Sequence, residues 1–206
     1  MNKFFYIVFL LATTLSAQTP LSSLEASSLK KKVQEQAEKT KTMTVDFVQL
    51  KHLDFLSNDI ETSGNLALKQ PDLVKWEYTK PFQYSVLFKD KTLYINDDGK
   101  KSDVNLSSNK LFGQLNNLIV NSITGDLFKD DEFEISYFKS SEEGYEVLFI
   151  PKDSKLKKYI SQFRLFFSTD AYVEKVKMIE PSGDYTIISF SNRQLNKPLA
   201  NAIFAH

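Results

Sequence analysis

Residues 64–81, GNLALKQPDLVKWEYTKP, decide the fold of this chain. Apolar or aromatic side chains occupy every second position in two segments of the stretch: Leu66 and Leu68, then Val74, Trp76 and Tyr78. This alternation is typical of half-buried β-strands, because successive side chains of a strand point to opposite faces of the sheet. Pro71 and Pro81 punctuate the two segments, since proline cannot donate a hydrogen bond inside a sheet. The stretch therefore predicts two short strands, and it carries the only tryptophan of the chain.

The same alternation extends in both directions along the chain. Before the stretch lie Val45, Phe47 and Gln49, and after it lie Phe82, Tyr84, Val86 and Phe88, followed by Leu93 and Ile95. Beyond residue 130 it resumes with Phe133, Ile135 and Tyr137, then Tyr145, Val147 and Phe149, then Phe163, Leu165 and Phe167, then Val176 and Met178, then Tyr185, Ile187 and Ser189. Turn-forming residues bound each segment, so the simplest topology is a long antiparallel meander with hairpin connections.

Two segments break the alternation with helical spacing. Ser22-Ser23-Leu24-Glu25 fits a capping box, and the apolar residues behind it recur every fourth position, at Leu29, Val33 and Ala37. Between Ser107 and Gly125, the apolar residues also fall at helical spacing: Leu111, Phe112, Leu115, Leu118, Ile119 and Ile123. We therefore predict an N-terminal helix and a central helix.

These elements predict one domain of the α+β class, a strongly curved antiparallel sheet covered by the two helices. The domain comprises residues 18–206, and its 17 phenylalanines and 9 tyrosines predict an aromatic interior. An apolar cavity is compatible with this pattern, but alternation does not separate a cavity wall from a packed core. Both interpretations stay open for Trp76 and for the stripe of the central helix.

Residues 1–17 have the pattern of a secretory signal peptide. Lys3 is followed by an apolar run from Phe4 to Ala12, and Leu15-Ser16-Ala17 is a small-residue cleavage site. A membrane anchor would need about 20 apolar residues, and this run is shorter. We expect export with cleavage after Ala17. The chain has no cysteine, so neither a disulfide nor a lipid-modified cysteine is expected.

Composition excludes several classes of function. The 26 basic and 26 acidic side chains balance, without a block of like charge to follow a nucleic acid, and we expect no nucleic-acid partner. Only His52 and His206 could serve as imidazole bases, and the six glycines are too scattered for a nucleophile elbow or a phosphate loop. We therefore predict that the protein is not an enzyme, has no catalytic residue, and needs no metal or cofactor. The lysine-rich segment 152–158 is interpreted as a solvated loop, with a docking surface for an acidic partner left open.

The central stretch resembles one family signature. In outer-membrane lipoprotein carrier proteins of the LolA type, a Gly-x-Leu strand leads into a basic-Pro-x-Leu turn and an aromatic strand with an inward tryptophan. Three weaker motifs occur in the same order as in that family, at residues 46–49, 90–94 and 183–192. The resemblance implies a half-open barrel with a helical lid. It also implies a periplasmic carrier that takes lipoproteins from an inner-membrane lipoprotein-releasing transporter to an outer-membrane acceptor, through transient contacts and as a monomer.

The resemblance also implies which residues form the site. The acyl chains of the lipoprotein would lie in an apolar cavity lined by Phe47, Leu66, Leu68, Val74, Trp76, Tyr78, Tyr84 and Val86. The lid would comprise Leu111, Phe112, Leu115, Leu118, Ile119 and Ile123. Lid control falls on Gln70, although the family typically has an arginine there and this chain places Lys69 one position earlier. The chain also stops soon after Phe204, where family members usually continue into an apolar tail, which implies a shorter contact with a partner or the lid.

Three alternatives remain on the sequence alone. An outer-membrane acceptor of the same pathway would need a lipidated cysteine, and the chain has none. The second alternative is an envelope domain that senses mislocalised lipid or lipoprotein with the same half-barrel. The third is a carrier of another lipid class, such as a glycolipid.

Overall fold

One helix and eleven strands build the part of the chain that the computed structural model describes, which comprises residues 18–105, 127–128, 130–140 and 143–206. The helix, α1, spans Ser23–Lys39. The strands are β1 Thr42–His52, β2 Ile60–Lys69, β3 Leu73–Lys80, β4 Tyr84–Lys89, β5 Thr92–Asp97, β6 Lys100–Asn105, β7 Phe133–Lys139, β8 Tyr145–Pro151, β9 Gln162–Phe167, β10 Val173–Ile179 and β11 Tyr185–Leu195. Two short 3₁₀ helices span Leu156–Lys158 and Asn201–Phe204. Within these ranges, no helix combines the length and the hydropathy required to cross a bilayer.

The N-terminus of α1 is closed by the predicted capping box. The Ser22 hydroxyl accepts a hydrogen bond from the Glu25 backbone N–H at 3.3 Å, and the Glu25 carboxylate accepts one from the Ser22 N–H at 2.8 Å. These two bonds satisfy backbone donors that a helix leaves open at its start. Hydrogen bonds from Ser22, aided by Lys139, lower the pKa of Glu25 to about 2. The prediction of the N-terminal helix is confirmed, with Leu29, Val33 and Ala37 buried.

All eleven strands form a single antiparallel sheet, and the first and last strands pair at its centre. The order is β6-β5-β4-β3-β2-β1-β11-β10-β9-β8-β7. We call β1–β6 the first arm and β7–β11 the second arm. Each arm is a hairpin meander, as predicted, but the prediction of one continuous meander is wrong at the junction, because the chain passes from β6 at one edge to β7 at the other. Alternation identifies strands and faces but does not specify which strands pair.

The sheet is open, since β6 and β7 are its two edges and do not pair with each other. The alternation pattern also misplaced one strand boundary and did not identify one strand, β6. Phe82 lies outside β4, in the bend after Pro81, and is 51% exposed. The hairpin at residues 97–99 continues into β6, whose sequence is mostly polar because it forms an exposed edge. The predicted central helix between Ser107 and Gly125, and with it the lid, lies outside the described residues.

Gly64 explains why the central stretch starts with glycine. A Cβ atom at this position would lie 1.9 Å from the carbonyl oxygen of Glu77 on the neighbouring strand. The register between β2 and β3 shifts at the same point, between Ser63 and Gly64. Glycine therefore permits a close approach of two backbones that a side chain would prevent.

The side chains of the sheet form separate cores. The core of the second arm packs against α1 and includes Leu29, Val33, Val147, Phe149, Phe163 and Phe167. The core of the first arm lies on the same side of the sheet and includes Met43, Val45, Phe47, Leu66, Leu68, Val74 and Trp76. On the opposite side of the first arm, Phe204 of the C-terminal 3₁₀ helix packs on Ala67 and Leu87. The end of the chain therefore covers the outer face of the first arm.

Candidate functional site

An apolar groove lies where the two arms meet beneath the C-terminal half of α1. Its cavity volume is about 140 Å³. The helix contributes Val33 and Ala37, and the first arm contributes Met43, Val45, Leu66 and Trp76. The second arm and its β9–β10 turn contribute Phe163, Leu165, Ala171, Val173, Val176, Met178, Thr186, Ile188 and Phe190.

Strand alternation aims these side chains at the groove. In β11, Thr186, Ile188 and Phe190 are every second residue, so all three project from the same face. Val176 pairs with both Ile188 and Leu165, so neighbouring strands place apolar side chains side by side on that face. The groove is thus a direct result of the pairing between β1 and β11, which joins the faces of the two arms.

An aromatic cluster lies at the first-arm side of the groove, and its members Trp76 and Phe190 line the groove itself. The ring of Phe47 lies 5.0 Å from that of Trp76 and 5.0 Å from that of Tyr78, between ring centroids. Phe190 of β11 lies 6.0 Å from Trp76 and connects the cluster to the second arm. Tilted and edge-to-face rings at these distances attract each other. Burial raises the pKa of Tyr78, whose hydroxyl donates to Gln49 Oε1 at 3.1 Å.

The structure brings the eight predicted cavity residues together, at different depths. Leu66 and Trp76 line the groove itself. Phe47, Leu68 and Val74 are buried in the core of the first arm, beside that lining and on the same face of the sheet. Tyr78 and Val86 are partly buried against this core, and the ring of Tyr84 lies 5.9 Å from that of Tyr78. Contact of these residues with a ligand stays a prediction.

Sequence reasoning missed the other wall of the groove. The strands that carry Val176, Met178, Ile188 and Phe190 contribute more lining residues than the first arm. The available signal was the alternation in β10 and β11, which predicted strands but gave no indication that they meet β1. The spacing of Val33 and Ala37 similarly predicted a buried helix face without showing what it covers.

Polar side chains gather at one end of the groove, beside the C-terminus of α1. Gln36 Oε1 accepts a hydrogen bond from the Tyr172 hydroxyl at 2.9 Å, and Gln36 Nε2 donates to the Asp170 carbonyl at 3.1 Å. The Thr40 hydroxyl donates to the Gln36 carbonyl at 2.7 Å. Arg193 completes this end, with its guanidinium 4.9 Å from the centre of the Tyr172 ring.

A β-bulge directs Arg193 into the groove. The register between β1 and β11 shifts between Thr44 and Asp46, and Asn192 opposite this point has a positive φ of 53°. Without the bulge, alternation from Phe190 would place Asn192 on the groove face; with it, Arg193 takes that position. Burial lowers the pKa of the Arg193 guanidinium, against opposing effects of Glu174 and Tyr172.

Gln70 connects the first arm to the end of α1. Its side-chain amide donates to the Ala37 carbonyl at 3.0 Å, and its Oε1 accepts from Lys41 Nζ at 3.4 Å. The side chain therefore caps a helix carbonyl. The predicted lid residues lie outside the described part of the chain, so control of a lid by Gln70 stays a prediction.

The groove offers binding surface and few reactive groups. Among the described residues, no three histidine, cysteine, aspartate or glutamate side chains are placed to hold a metal ion. His52 lies away from the groove lining, stacked on Tyr185 with centroids 4.6 Å apart and hydrogen-bonded to Asp59 at 2.7 Å. The arrangement therefore suits an apolar ligand with a polar end.

Comparisons with known proteins give consistent results. A family model described as outer membrane lipoprotein carrier protein LolA matches residues 38–206. The outer-membrane lipoprotein carrier protein of Azotobacter vinelandii is 29% identical over 199 residues, which cover 96% of this chain and 91% of that protein. The protein of the same description from Chromobacterium violaceum is 27% identical over 168 residues, covering 81% and 77%. A crystal structure of a DUF1329 family protein from Desulfovibrio piger matches with a TM-score of 0.52 at 13% identity, covering 87% and 97%, and supports the fold alone.

Proposed function

Because the chain belongs to the LolA family of outer-membrane lipoprotein carrier proteins, we propose that it carries lipoproteins by holding their acyl chains in the groove between the two arms. The observation that supports this placement is the apolar groove itself, formed by both arms and α1. Its lining consists mainly of aliphatic and aromatic side chains, with polar groups gathered at one end. Such a lining favours hydrocarbon over water but does not compete strongly with a membrane.

The energetics explain why a carrier is needed. Exposure of hydrocarbon to water costs about 0.8 kcal/mol per CH₂, so one sixteen-carbon chain costs on the order of 12 kcal/mol. The groove volume of about 140 Å³ is close to the roughly 150 Å³ of an apolar cavity that binds benzene. The groove as described therefore accommodates only part of such a chain. We propose that it widens when the cargo enters.

We further propose that the protein works in the periplasm as a monomer after cleavage behind Ala17. It would accept lipoproteins from an inner-membrane lipoprotein-releasing transporter and deliver them to an outer-membrane acceptor, with only transient contacts. Mass analysis of the secreted protein should show a chain that begins at Gln18. Recovery of a chain that still carries residues 4–11 in the membrane fraction would refute this proposal.

The lid is proposed from the sequence pattern of residues 107–125. The residues proposed to cover the groove are Leu111, Phe112, Leu115, Leu118, Ile119 and Ile123. If they form a movable cover, Leu115→Glu should abolish lipoprotein release from spheroplasts while the melting temperature stays nearly normal. Loss of both release and folding would instead identify the segment as core.

A matched pair of variants tests the groove. Ile188 lines it, whereas its neighbour Ile187 projects from the opposite face of β11. Ile188→Glu places a charge where hydrocarbon would lie, so release of lipoproteins from spheroplasts should fall at least tenfold. Ile187→Glu, with the same change in composition on the same strand, should retain most of the release. Equal loss in both variants would contradict the placement of the cargo.

Native mass spectrometry of the protein isolated from its own periplasm identifies the cargo. A bound mass equal to a lipoprotein supports the proposed function. A bound glycolipid would assign the groove to another lipid class. Saturable acyl binding without lipoprotein release in the spheroplast assay would indicate a sensing domain.

A further inference from the structure

We propose that Arg193 forms the polar end of the groove and binds a carbonyl or carboxylate oxygen at the head of an acyl chain. The hydrocarbon end of the chain then points towards Phe163 and Met178. This proposal rests on the proposed function, because it assumes that acyl chains occupy the groove. It adds a fixed orientation and a chemical requirement at one end of the ligand.

The distribution of polar groups along the groove supports an orientation. Gln36, Thr40, Tyr172 and Arg193 all lie at the end beside the C-terminus of α1. At the other end the lining is apolar apart from the Thr186 hydroxyl, because Met178 pairs with Phe163 and lies beside Thr186. An amphiphile therefore finds its polar and apolar partners at opposite ends of the same groove.

Arg193 is the group at the polar end whose N–H donors are available to a ligand. The Gln36 amide already has a partner on each side, Tyr172 and the Asp170 carbonyl. The guanidinium has five N–H donors, and within the described part of the chain one of them, on Nη2, donates a hydrogen bond to the Val173 carbonyl. The remaining donors can reach an oxygen in the groove.

The charge of Arg193 is only weakly compensated. The other arginine, Arg164, forms an ion pair with Glu146 at 2.8 Å. Among the described ion pairs none involves Arg193, and its charge is favoured by the hydrogen bond to the Val173 carbonyl, the ring of Tyr172 and the electrostatic attraction of Glu174. Burial already disfavours the charged form of Arg193, as the lowered pKa indicates. A ligand oxygen would therefore improve the environment of a cation that is partly removed from water.

The β10 wall of the groove has the length of such a ligand, and the widening proposed above provides the remaining volume. Val173 accepts the hydrogen bond from Arg193, and Met178 lies five residues further along the same strand. Five residues of extended strand span at most roughly 17 Å here, because a bulge lies between Val173 and Lys175. A ligand held at Arg193 can thus place its hydrocarbon along the full apolar wall of β10.

Three probes with the same twelve-carbon chain test the proposal, each below its critical micelle concentration or, for methyl laurate, below its solubility limit. Laurate carries a carboxylate, methyl laurate carries a neutral carbonyl, and dodecyltrimethylammonium carries a cation. Arg193→Gln should weaken laurate roughly 10- to 100-fold, the effect of a lost hydrogen bond to a charged group. It should weaken methyl laurate roughly 2- to 10-fold and leave dodecyltrimethylammonium unchanged or tighter.

Two further variants separate recognition from folding. Arg193→Lys keeps the charge and should restore part of the preference for laurate over dodecyltrimethylammonium. Lys177→Gln removes a cation that lies over the Tyr185 ring, outside the groove, and should leave all three affinities unchanged. Equal weakening of all three probes by Arg193→Gln, or no weakening at all, would overturn the proposal.

Cross-linking tests the orientation in the unaltered protein. A laurate with a diazirine at its terminal carbon should label residues near Phe163 and Met178 after irradiation. Labelling of Gln36 or Tyr172 instead would place the hydrocarbon end at Arg193 and overturn the proposal.

The outcomes distinguish this proposal from the proposed function. If the unaltered protein binds all three probes and Arg193→Gln does not discriminate between them, the acyl groove stands and the role of Arg193 falls. If the unaltered protein binds none of the probes, both proposals fail.

Discussion

The two arms of the sheet build their inner faces in different ways. The second arm packs against α1, and Val147 and Phe149 at its centre are both 0% exposed. The first arm has no helix against its core among the described residues, and Tyr78, Val86 and Phe88 at its border are only partly buried. Both arms are antiparallel meanders of similar strands. The difference therefore comes from what covers them.

The two arms therefore have different roles in forming the groove. The second arm and α1 form a packed body that fixes one wall of the groove. The first arm presents aromatic rings beside the groove, and Tyr78 and Phe88 among them are only partly buried. A carrier needs both properties, since the groove must keep its shape while its lining adapts to hydrocarbon.

The largest expected effect on stability comes from truncating one phenylalanine in each arm. Phe149→Ala should lower the free energy of unfolding by about 3–5 kcal/mol, because it opens a cavity in a fully packed core. Phe88→Ala, at the partly buried border of the first arm, should cost about 1–2 kcal/mol, since less area is lost from burial. Urea denaturation of both variants measures the difference. Equal losses would break the distinction between the arms.

A second pair of variants tests whether α1 belongs to the second arm. Leu29 is 1% exposed in the core of that arm, whereas Leu24 is 84% exposed on the same helix. Leu29→Ala should cost about 2–4 kcal/mol, as for other buried leucines. Leu24→Ala should stay within about 0.5 kcal/mol of the unaltered protein. Thermal and urea unfolding provide the measurement, and a large loss in Leu24→Ala would show that the outer face of α1 is also packed.

A smaller effect is expected where the first arm holds the end of α1. Gln70→Ala removes the hydrogen bond to the Ala37 carbonyl and should cost about 1 kcal/mol. Gln83→Ala is a suitable control, because its exposed amide makes only a 3.4 Å contact with the Thr79 carbonyl. Equal stability of the two variants in urea would show that the connection between α1 and the first arm is unimportant.

The smallest effects are expected in the pH dependence of stability, with opposite signs for Glu25 on α1 and His52 on β1. The pKa of Glu25 at the start of α1 falls from 4.5 to about 2, so its contribution to stability is present above pH 4.5 and is lost as pH falls towards 2. The hydrogen bond to Asp59 raises the pKa of His52 at the end of β1, so its contribution is present below pH 6.5 and is lost as pH rises through the raised pKa.

Urea midpoints of Glu25→Gln and His52→Gln across this range check both signs. The Glu25→Gln curve should meet that of the unaltered protein only at acid pH. The His52→Gln curve should meet it only above the raised pKa of His52. Reversal of either pattern would contradict the assigned hydrogen bonds.

Much of this structure is predictable from local sequence. The capping box at Ser22 and Glu25 involves residues three apart, so the sequence contains all the information that it needs. The alternation around Trp76 likewise assigns strands and faces without knowledge of distant residues. The eight predicted cavity residues therefore meet in and around one cluster.

What the sequence did not predict depends on residues far apart. The pairing of Phe47 with Phe190 joins strands from the two ends of the chain, and no local pattern encodes it. The position of Arg193 depends on a bulge at Asn192, which reverses the face expected from alternation. Asparagine adopts positive φ more readily than most residues, so Asn192 is the one local signal of that bulge.

The central pairing of β1 with β11 has a consequence for the newly made protein. A ribosome completes the first arm long before it reaches residue 185, yet Ile188 and Phe190 of the last strand form the middle of the groove. Contacts between the ends of a chain also form late, because they must close the longest loop. A nascent chain thus has no site for lipid until synthesis is nearly complete. A chain that terminates before β11 would lack Ile188 and Phe190, and with them the middle of the groove.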